Sequence, residues 1–288
     1  MKRNIYFFIV FSVLSCSCNT AVYIPTDVVD LNNNHDLPSN DSDSLLKEIK
    51  VLTYNIHFCS PPAKPETYDI EGIAAVINRI NPDVVFMQEV DKKTGINNCF
   101  LDQSEEIRKL TKMNAQYFSE RVRGKGFFGT TILSKYPLKN PKTYPLVKLD
   151  PSYAQRALGT ILVDLPGKDS IVLSTTHLEV FSADNRYEQL KEILNILPFA
   201  EATPIVFGGD FNTRPTDTRF FGLFEEYFTR TCPGTDSPAT YDNPTQVIVI
   251  DHVGFHPKNA FNVKSYEVWS KEKASDHFPV VSILEFNR

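Results

Sequence analysis

The chain has 288 residues, 42% hydrophobic and 23% charged, which excludes a wholly disordered, collagen-like or multi-span membrane protein. With 30 Lys+Arg against 35 Asp+Glu the net charge is −5, so a basic coat for gripping nucleic acid non-specifically is absent, although a local basic groove stays open. Five cysteines are too few for a disulfide framework, and the length allows one or two domains.

The chain begins with Lys2 and Arg3, followed by a stretch over 5–14 that is apolar apart from Ser12. That stretch is short for a bilayer span and fits the core of a signal peptide. Val13-Leu14-Ser15-Cys16 then resembles a bacterial lipobox, which implies cleavage before Cys16 and lipidation of that cysteine. An ordinary secretory signal is the alternative. Loss of residues 1–15 lowers Lys+Arg from 30 to 28 against 35 acids, a charge of −7. Residues 16–46 are mostly polar and poor in aromatics, and read as a flexible tether that cannot repay the entropy of ordering. Part of it, around Val22, Tyr23 and Ile24, could instead lie on the domain. The expectation is a protein held at the bacterial cell envelope by an N-terminal lipid anchor, with its domain outside the cytoplasm.

From 47 to 288 the pattern is that of one α/β domain. Residues 50–56 are β-rich. Ile70, Ile73, Ile77 and Ile80 share one helical face, with Asp69 as N-cap and Pro82 just past the end. A continuous apolar run over 83–89 reads as a strand ending in acid. Ile107, Leu110 and Met113 mark a second helix over 104–113. Residues 128–134, 157–164 and 170–176 read as strands. A third helix over 183–197 aligns Tyr187, Leu190, Leu194 and Leu197, and the aromatics of 220–228 read as helix core. Short apolar strands follow over 204–208, 247–250 and 280–286. Strands outnumber helices and alternate with them irregularly, so a simple doubly wound parallel sheet is not expected.

The polar residues of interest stand where these apolar runs end. Asn55 and His57 follow one, Glu89 ends another, and His177 follows a third. Asp210 and Asn212 follow 204–208, Asp251 follows 247–250, and Asp276 and His277 precede 280–286. Any one of these could merely cap a strand or solvate a loop. Together they offer carboxylates for a hard cation, imidazoles for proton transfer and amides for an oxyanion.

In order, the segments TYN (53–55), MQE (87–89), GTTILSKYP (129–137), TTHLE (175–179), GGDFNTRP (208–215), IDH (250–252) and SDHFPV (275–280) resemble the endonuclease/exonuclease/phosphatase superfamily, the DNase I-like group. The resemblance spans about 240 residues. It implies a four-layer α/β sandwich, two mostly antiparallel β-sheets flanked by helices. It also implies a phosphoesterase using Mg²⁺, with Mn²⁺ as a substitute. By resemblance Glu89 is the principal metal ligand, with Asn55 and Asp276 beside the metal. His177 binds the phosphoryl group or assists the leaving oxygen. Asp210 orients or deprotonates the attacking water, and Asn212 steadies the transition state. Asp251 and His277 form an Asp–His pair, in which the carboxylate fixes the imidazole tautomer. Asp210 and His277 both remain candidates for the general base.

Some relatives carry an acid where this chain has His57. A neutral imidazole suits Mg²⁺ less well, so His57 either contacts phosphate or packs in its loop. Arg156 resembles an arginine at the mouth of many relatives and could hold phosphate in a bidentate contact or form a surface ion pair. His252 should face away from its neighbour Asp251 and is left out of the site. Arg186 and Gln189 read as structural. Arg121, Arg123 and Lys125 form either a basic rim or a solvated loop. Cys59 and Cys99 could pair in an oxidising compartment or stay free.

The resulting expectation is a monomeric, metal-dependent phosphoesterase that hydrolyses a phosphodiester by in-line attack of water. A lipid or small-molecule substrate is favoured, and nucleic acid is the alternative. A binding lipoprotein that keeps the fold without activity is the reading from another class. No G-x-S-x-G occurs, which removes a common serine-hydrolase signal.

Overall fold

A computed structural model describes residues 44–288 apart from 233, 235, 236, 244 and 245. The expected signal segment, Cys16 and nearly all of the tether lie outside the described residues. Among the described residues no helix is long and apolar enough to cross a membrane.

Two six-stranded sheets face each other. The first has the order β13-β14-β1-β2-β4-β3 and the second β5-β6-β7-β8-β12-β9. The first is built from β1 (Glu48–Asn55), β2 (Val84–Lys92), β3 (Asn114–Arg123), β4 (Gly126–Ser134), β13 (Phe261–Val268) and β14 (Val280–Phe286). The second is built from β5 (Leu138–Pro145), β6 (Ala157–Leu165), β7 (Asp169–His177), β8 (Ile205–Asp210), β9 (Thr229–Arg230) and β12 (Asp251–His256). A short hairpin of β10 (Tyr241–Asn243) and β11 (Gln246–Ile248) stands apart. One pair in each sheet is parallel, β1 with β2 and β7 with β8, and the remaining pairs are antiparallel.

Helices cover the outer faces. α1 (Ile70–Ile80) and α2 (Gln103–Thr111) pack on the first sheet through Ile73, Ile77 and Ile107 against Leu52, Val85 and Leu133. α3 (Ala183–Ile196) and α4 (Thr218–Tyr227) pack on the second through Leu190, Ile193, Phe220 and Phe224 against Leu158, Phe207 and Phe211. The four-layer sandwich is thus present. Local chemistry agrees with it: the Asp69 carboxylate accepts from the Gly72 N–H at 2.8 Å as the N-cap of α1, and Asn81 ends that helix in the left-handed conformation before Pro82.

Between the sheets, Ile49, Val51, Val84, Phe86, Phe118 and Ile132 meet Ile161, Val163, Leu173, Val206 and Val253. Here two glycines of the second sheet leave room for two rings of the first. A Cβ at Gly208 would lie 2.6 Å from the Phe86 ring, and one at Gly159 would run into the Phe118 ring.

Arg121 and Arg123 lie on β3 rather than in a solvated loop. Arg121 stacks on Phe128, 3.9 Å from the ring centre, and Arg123 donates to both oxygens of Asp91 at 2.7 and 2.8 Å. Cys59, Cys99 and Cys232 are free thiols. His252 faces away from the site, as its place next to Asp251 requires. It is fully buried among Phe211 and Phe221, with Nε2 donating to the Thr213 carbonyl at 2.9 Å.

Two stability predictions come from this packing. Gly159→Ala should lower stability by about 1–3 kcal/mol in urea unfolding, because an overfilled interface has no free volume to yield. The loss should shrink in a Phe118→Leu background; an equal loss there would show that the ring is not the obstacle. Burial pushes the His252 imidazole down to about 4 from an ordinary 6.5, although the Thr213 carbonyl opposes it. The folded protein therefore takes up its proton later than the unfolded chain, and stability should fall as pH drops from about 6.5 to 4. Chemical denaturation across that window should show a flatter slope in His252→Gln.

Candidate active site

Because β7 and β8 run parallel and in register, His177 and Asp210 end side by side at one edge of the second sheet. β12 runs back antiparallel from the same edge, and its first residue, Asp251, is the register partner of Asp210. These three side chains therefore sit on neighbouring strands and share a face. The first sheet supplies the rest. Asn55 is the last residue of β1. β14 is antiparallel to β1, so the loop before it returns Asp276 and His277 to the end of β1. The Ser275 hydroxyl latches that loop by donating to the Asn55 carbonyl at 2.8 Å.

Glu89 arrives by a different route. The pairing of β2 with β4 shifts register between Met87 and Val90, and Glu89 has a left-handed φ of 58°. Its neighbour Gln88 faces the second sheet, where its amide lies 3.4 Å from the Thr175 hydroxyl. Plain alternation would turn Glu89 the opposite way; the bulge brings it to the cavity.

The groups converge on one buried carboxylate oxygen. Asp210 Oδ2 accepts from Asn55 Nδ2 at 3.1 Å, and lies 3.5 Å from His177 Nε2 and 3.7 Å from His277 Nε2. Asp210 Oδ1 accepts from the Asn212 backbone N–H at 2.8 Å. His277 Nδ1 donates to Asp251 Oδ2 at 2.9 Å, so the expected Asp–His pair is formed. Asn55 Nδ2 also lies 3.3 Å from Glu89 Oε1, and its side-chain oxygen accepts from the His57 N–H at 3.0 Å. The geometry thus gives Asn55 a bracing role between Glu89 and Asp210.

Electrostatics separates the two histidines. Burial alone would lower the His277 imidazole, but Asp251, Asp210 and Asp276 outweigh it and hold the ring protonated well above the ordinary histidine range. His177 is pushed the other way, by burial first and then by Arg156, His277 and Arg121, and is neutral. Burial and the charge of Asp251 push the Asp210 carboxyl up. Asp210, Asp251 and His277 place one donor atom each within 4.8 Å of one another, a spacing that could share a cation. The hold of three carboxylates on the His277 proton argues instead for an acid–base cluster.

Glu89, Asp276, Asn212, His177, Asp210, His277 and His57 all line an open cavity of about 1020 Å³. His57 packs in its loop and also lines the cavity. Its Nδ1 donates to the Ser60 carbonyl at 2.9 Å, and its ring reaches the cavity, 3.8 Å from Asp276 Oδ1. Arg156 does neither of the things expected of it. It is 4% exposed, does not line the cavity, and sits behind His177 with NH1 3.3 Å from buried Glu120. The phosphate contact and the surface ion pair are both replaced by a buried pair. Arg186, expected to be structural, both braces a turn and lines the cavity.

Three positioning residues have no role assigned from the sequence. The Thr240 hydroxyl accepts from the backbone N–H groups of Ile250 and Asp251 at 3.0 and 3.1 Å. Tyr241 lies over His277 with ring centres 4.7 Å apart. Ser275 is the latch described above. Thr240 and Tyr241 act through partners elsewhere in the chain and no local pattern marks them, whereas Ser275 lies in the SDHFPV segment.

The family model described as "Endonuclease/Exonuclease/phosphatase family" matches residues 52–277. A search of curated proteins returned no match. Among solved structures, an endonuclease/exonuclease/phosphatase from Beutenbergia cavernae DSM 12333 is similar with a TM-score of 0.71 and 24% identity, over 84% of this chain and 72% of that one. A mannosyl-6-phosphatase from Bacteroides thetaiotaomicron VPI-5482 has a TM-score of 0.67 and 17% identity, over 83% of this chain and 100% of that one. ANGEL2, described as a 2′,3′-cyclic phosphatase, has a TM-score of 0.64 and 13% identity, over 82% of this chain and 95% of that one. At these identities the structures speak for the fold, while the sequence model spans most of the domain. The chain belongs to the endonuclease/exonuclease/phosphatase family of phosphoester hydrolases.

Proposed function

We propose that the protein is a divalent-metal-dependent hydrolase that cleaves a small-molecule phosphodiester by in-line attack of water. The observation that carries this reading is the convergence of Asn55, His177 and His277 on Asp210 at the floor of a cavity whose wall holds Glu89 and Asp276. A diester carries one negative charge where a monoester carries close to two. Four carboxylates (Glu89, Asp210, Asp251, Asp276) at the site outnumber the His277 imidazolium and the Arg186 and Arg214 guanidinium groups of the same cavity, which suits the lesser charge. Arg156, which could have favoured a dianion, is spent on Glu120.

The donor set fits Mg²⁺, with Mn²⁺ as a substitute. Glu89 and Asp276 are hard oxygen donors facing the same cavity, and Asn55 braces Glu89 from behind. Bound there, such an ion supplies charge neutralisation at the phosphoryl oxygen and leaving group. The chain's own residues do the rest. Asp210, whose carboxyl is raised by burial, takes the proton of the attacking water. Protonated His277, fixed by Asp251, donates to a non-bridging oxygen. Neutral His177 donates from Nε2 towards the phosphoryl group, and the Asn212 amide adds a further donor as charge develops.

Purified protein with bis(p-nitrophenyl) phosphate and Mg²⁺ should release p-nitrophenol, stop on EDTA and recover on added Mg²⁺ or Mn²⁺. Asp210→Ala and His277→Ala should each lose about 10²–10⁴ in rate. Turnover that survives EDTA, or variants that match the parent, would overturn the reading.

The same proposal includes a lipid anchor at Cys16 that keeps the domain at the bacterial cell envelope, supported by the apolar run over 5–14 and the Leu14-Ser15-Cys16 sequence that follows it. Mass spectrometry of the mature N-terminus should find a diacylglyceryl cysteine at position 16. An unmodified terminus there would remove the anchor from the proposal.

A further inference from the structure

The catalytic groups are only part of the cavity lining. At about 1020 Å³ it lies at the upper end of the range for small-molecule sites, roughly 300–1,000 Å³, so a phosphoryl group fills a small part of it. The lining also includes Phe181, Arg186, Arg214, Thr216 and Asp217. None of these has a part in the reaction derived above.

Two features mark this region as a built surface. The first is Phe181, 86% exposed at the cavity. Its turn is held by hydrogen bonds. Its N–H donates to Glu179 Oε1 at 3.1 Å, the Glu179 N–H donates to Gln189 Oε1 at 3.0 Å, and Arg186 NH1 donates to the carbonyls of Glu179 and Val180 at 3.1 and 3.0 Å. A braced turn that presents a bare ring to a cavity is suited to stacking. The second is the mixture of charges. Arg186 has a buried Nε with no partner, and Arg214 and Thr216 have no side-chain hydrogen-bond or ion-pair partner among the described residues. Asp217 spends Oδ1 on the Phe220 N–H as the cap of α4 at 3.0 Å. Donors, an acceptor and an aromatic face thus stand together.

That combination selects among chemistries. A polyanion would favour cations without a carboxylate among them, and the other basic candidates, Arg121 and Arg123, are committed to Glu120 and Asp91. An acyl chain would leave two guanidinium groups and a carboxylate facing hydrocarbon. A hydroxylated ring fits: each hydroxyl both donates and accepts, satisfying carboxylate and guanidinium alike, and the ring's C–H face covers an aromatic. We propose that this part of the cavity lining is a subsite for a sugar, which forms one ester arm of the substrate and stacks on Phe181 while its hydroxyls bond Arg186, Arg214, Thr216 and Asp217. The inference rests on the phosphodiesterase reading and names the substrate class for it.

The test compares three p-nitrophenyl phosphodiesters that share a leaving group and differ in the other arm: hexose 6-, thymidine 5′- and ethyl. With Mg²⁺ present, kcat/KM for the hexose arm should exceed that for the ethyl arm about tenfold or more, because a site with polar groups to satisfy discriminates against an arm without hydroxyls. Arg214→Ala and Phe181→Ala should each pull that ratio towards one, chiefly through KM. Asp217→Asn, which keeps a cap acceptor for α4, should lower it as well. Equal rates for hexose and ethyl arms, a preference for thymidine, or a hexose preference untouched by all three variants would overturn the subsite. If bis(p-nitrophenyl) phosphate is hydrolysed but none of the three is, the subsite fails and the phosphodiesterase reading stands. If bis(p-nitrophenyl) phosphate is also inert, the phosphodiesterase reading itself fails.

Discussion

Phe86 of the first sheet lies against Gly208 of the second, two residues before Asp210. Everything functional in the molecule depends on that close approach. The site draws Asn55, Glu89 and His277 from one sheet or its loops, and His177, Asp210 and Asp251 from the other. Hydrogen bonds across that division, such as the 3.1 Å contact from Asn55 to Asp210, tolerate shifts of only a few tenths of an ångström. A dense apolar interface sets the spacing between sheets, and interiors packed like crystals do not drift. The glycine thus serves the chemistry although it never touches a substrate.

Charge is organised around burial. Asp210 and Asp251 are both buried, register partners on adjacent strands, and would repel one another without relief. Protonated His277 sits against both and removes that conflict. A second buried pair stands behind His177. Burial pushes the Glu120 carboxyl up to about 7, against the opposing pull of Arg156 and Arg121. Those same guanidinium groups help keep His177 neutral. The two histidines therefore differ in protonation although both are buried: at His277 three carboxylates outweigh burial, whereas at His177 burial prevails and nearby cations add to it.

The elements legible in the sequence were the ones with a strong period. α1, α3, β2, β6, β7 and β14 each carry a continuous apolar run or an apolar face, because each is buried against a neighbouring layer. β5 and β13 left no such trace. They are sheet edges, with exposed residues along most of their length, and β5 even contains Pro141. β3 was hidden by Glu120 and Arg123, whose partners Arg156 and Asp91 lie far along the chain. The basic residues of 121–125 looked alike in sequence; only the fold shows that Arg121 and Arg123 are neutralised while Arg214 is not.

The sequence by itself determined the inventory: which acids, amides and imidazoles stand at strand ends, in what order, and hence the family. Strand ends are where a polar side chain can follow an apolar run without being forced into the core, so this information is local. Only the tertiary structure decided what those residues do to one another. It turned Glu89 inward through a bulge, set Asn55 between two carboxylates, drew Arg156 behind His177, and put Phe181 and Arg214 in the wall of the same cavity. These are contacts between segments tens to hundreds of residues apart. Their distances are set by the packing of two sheets, which no local pattern records.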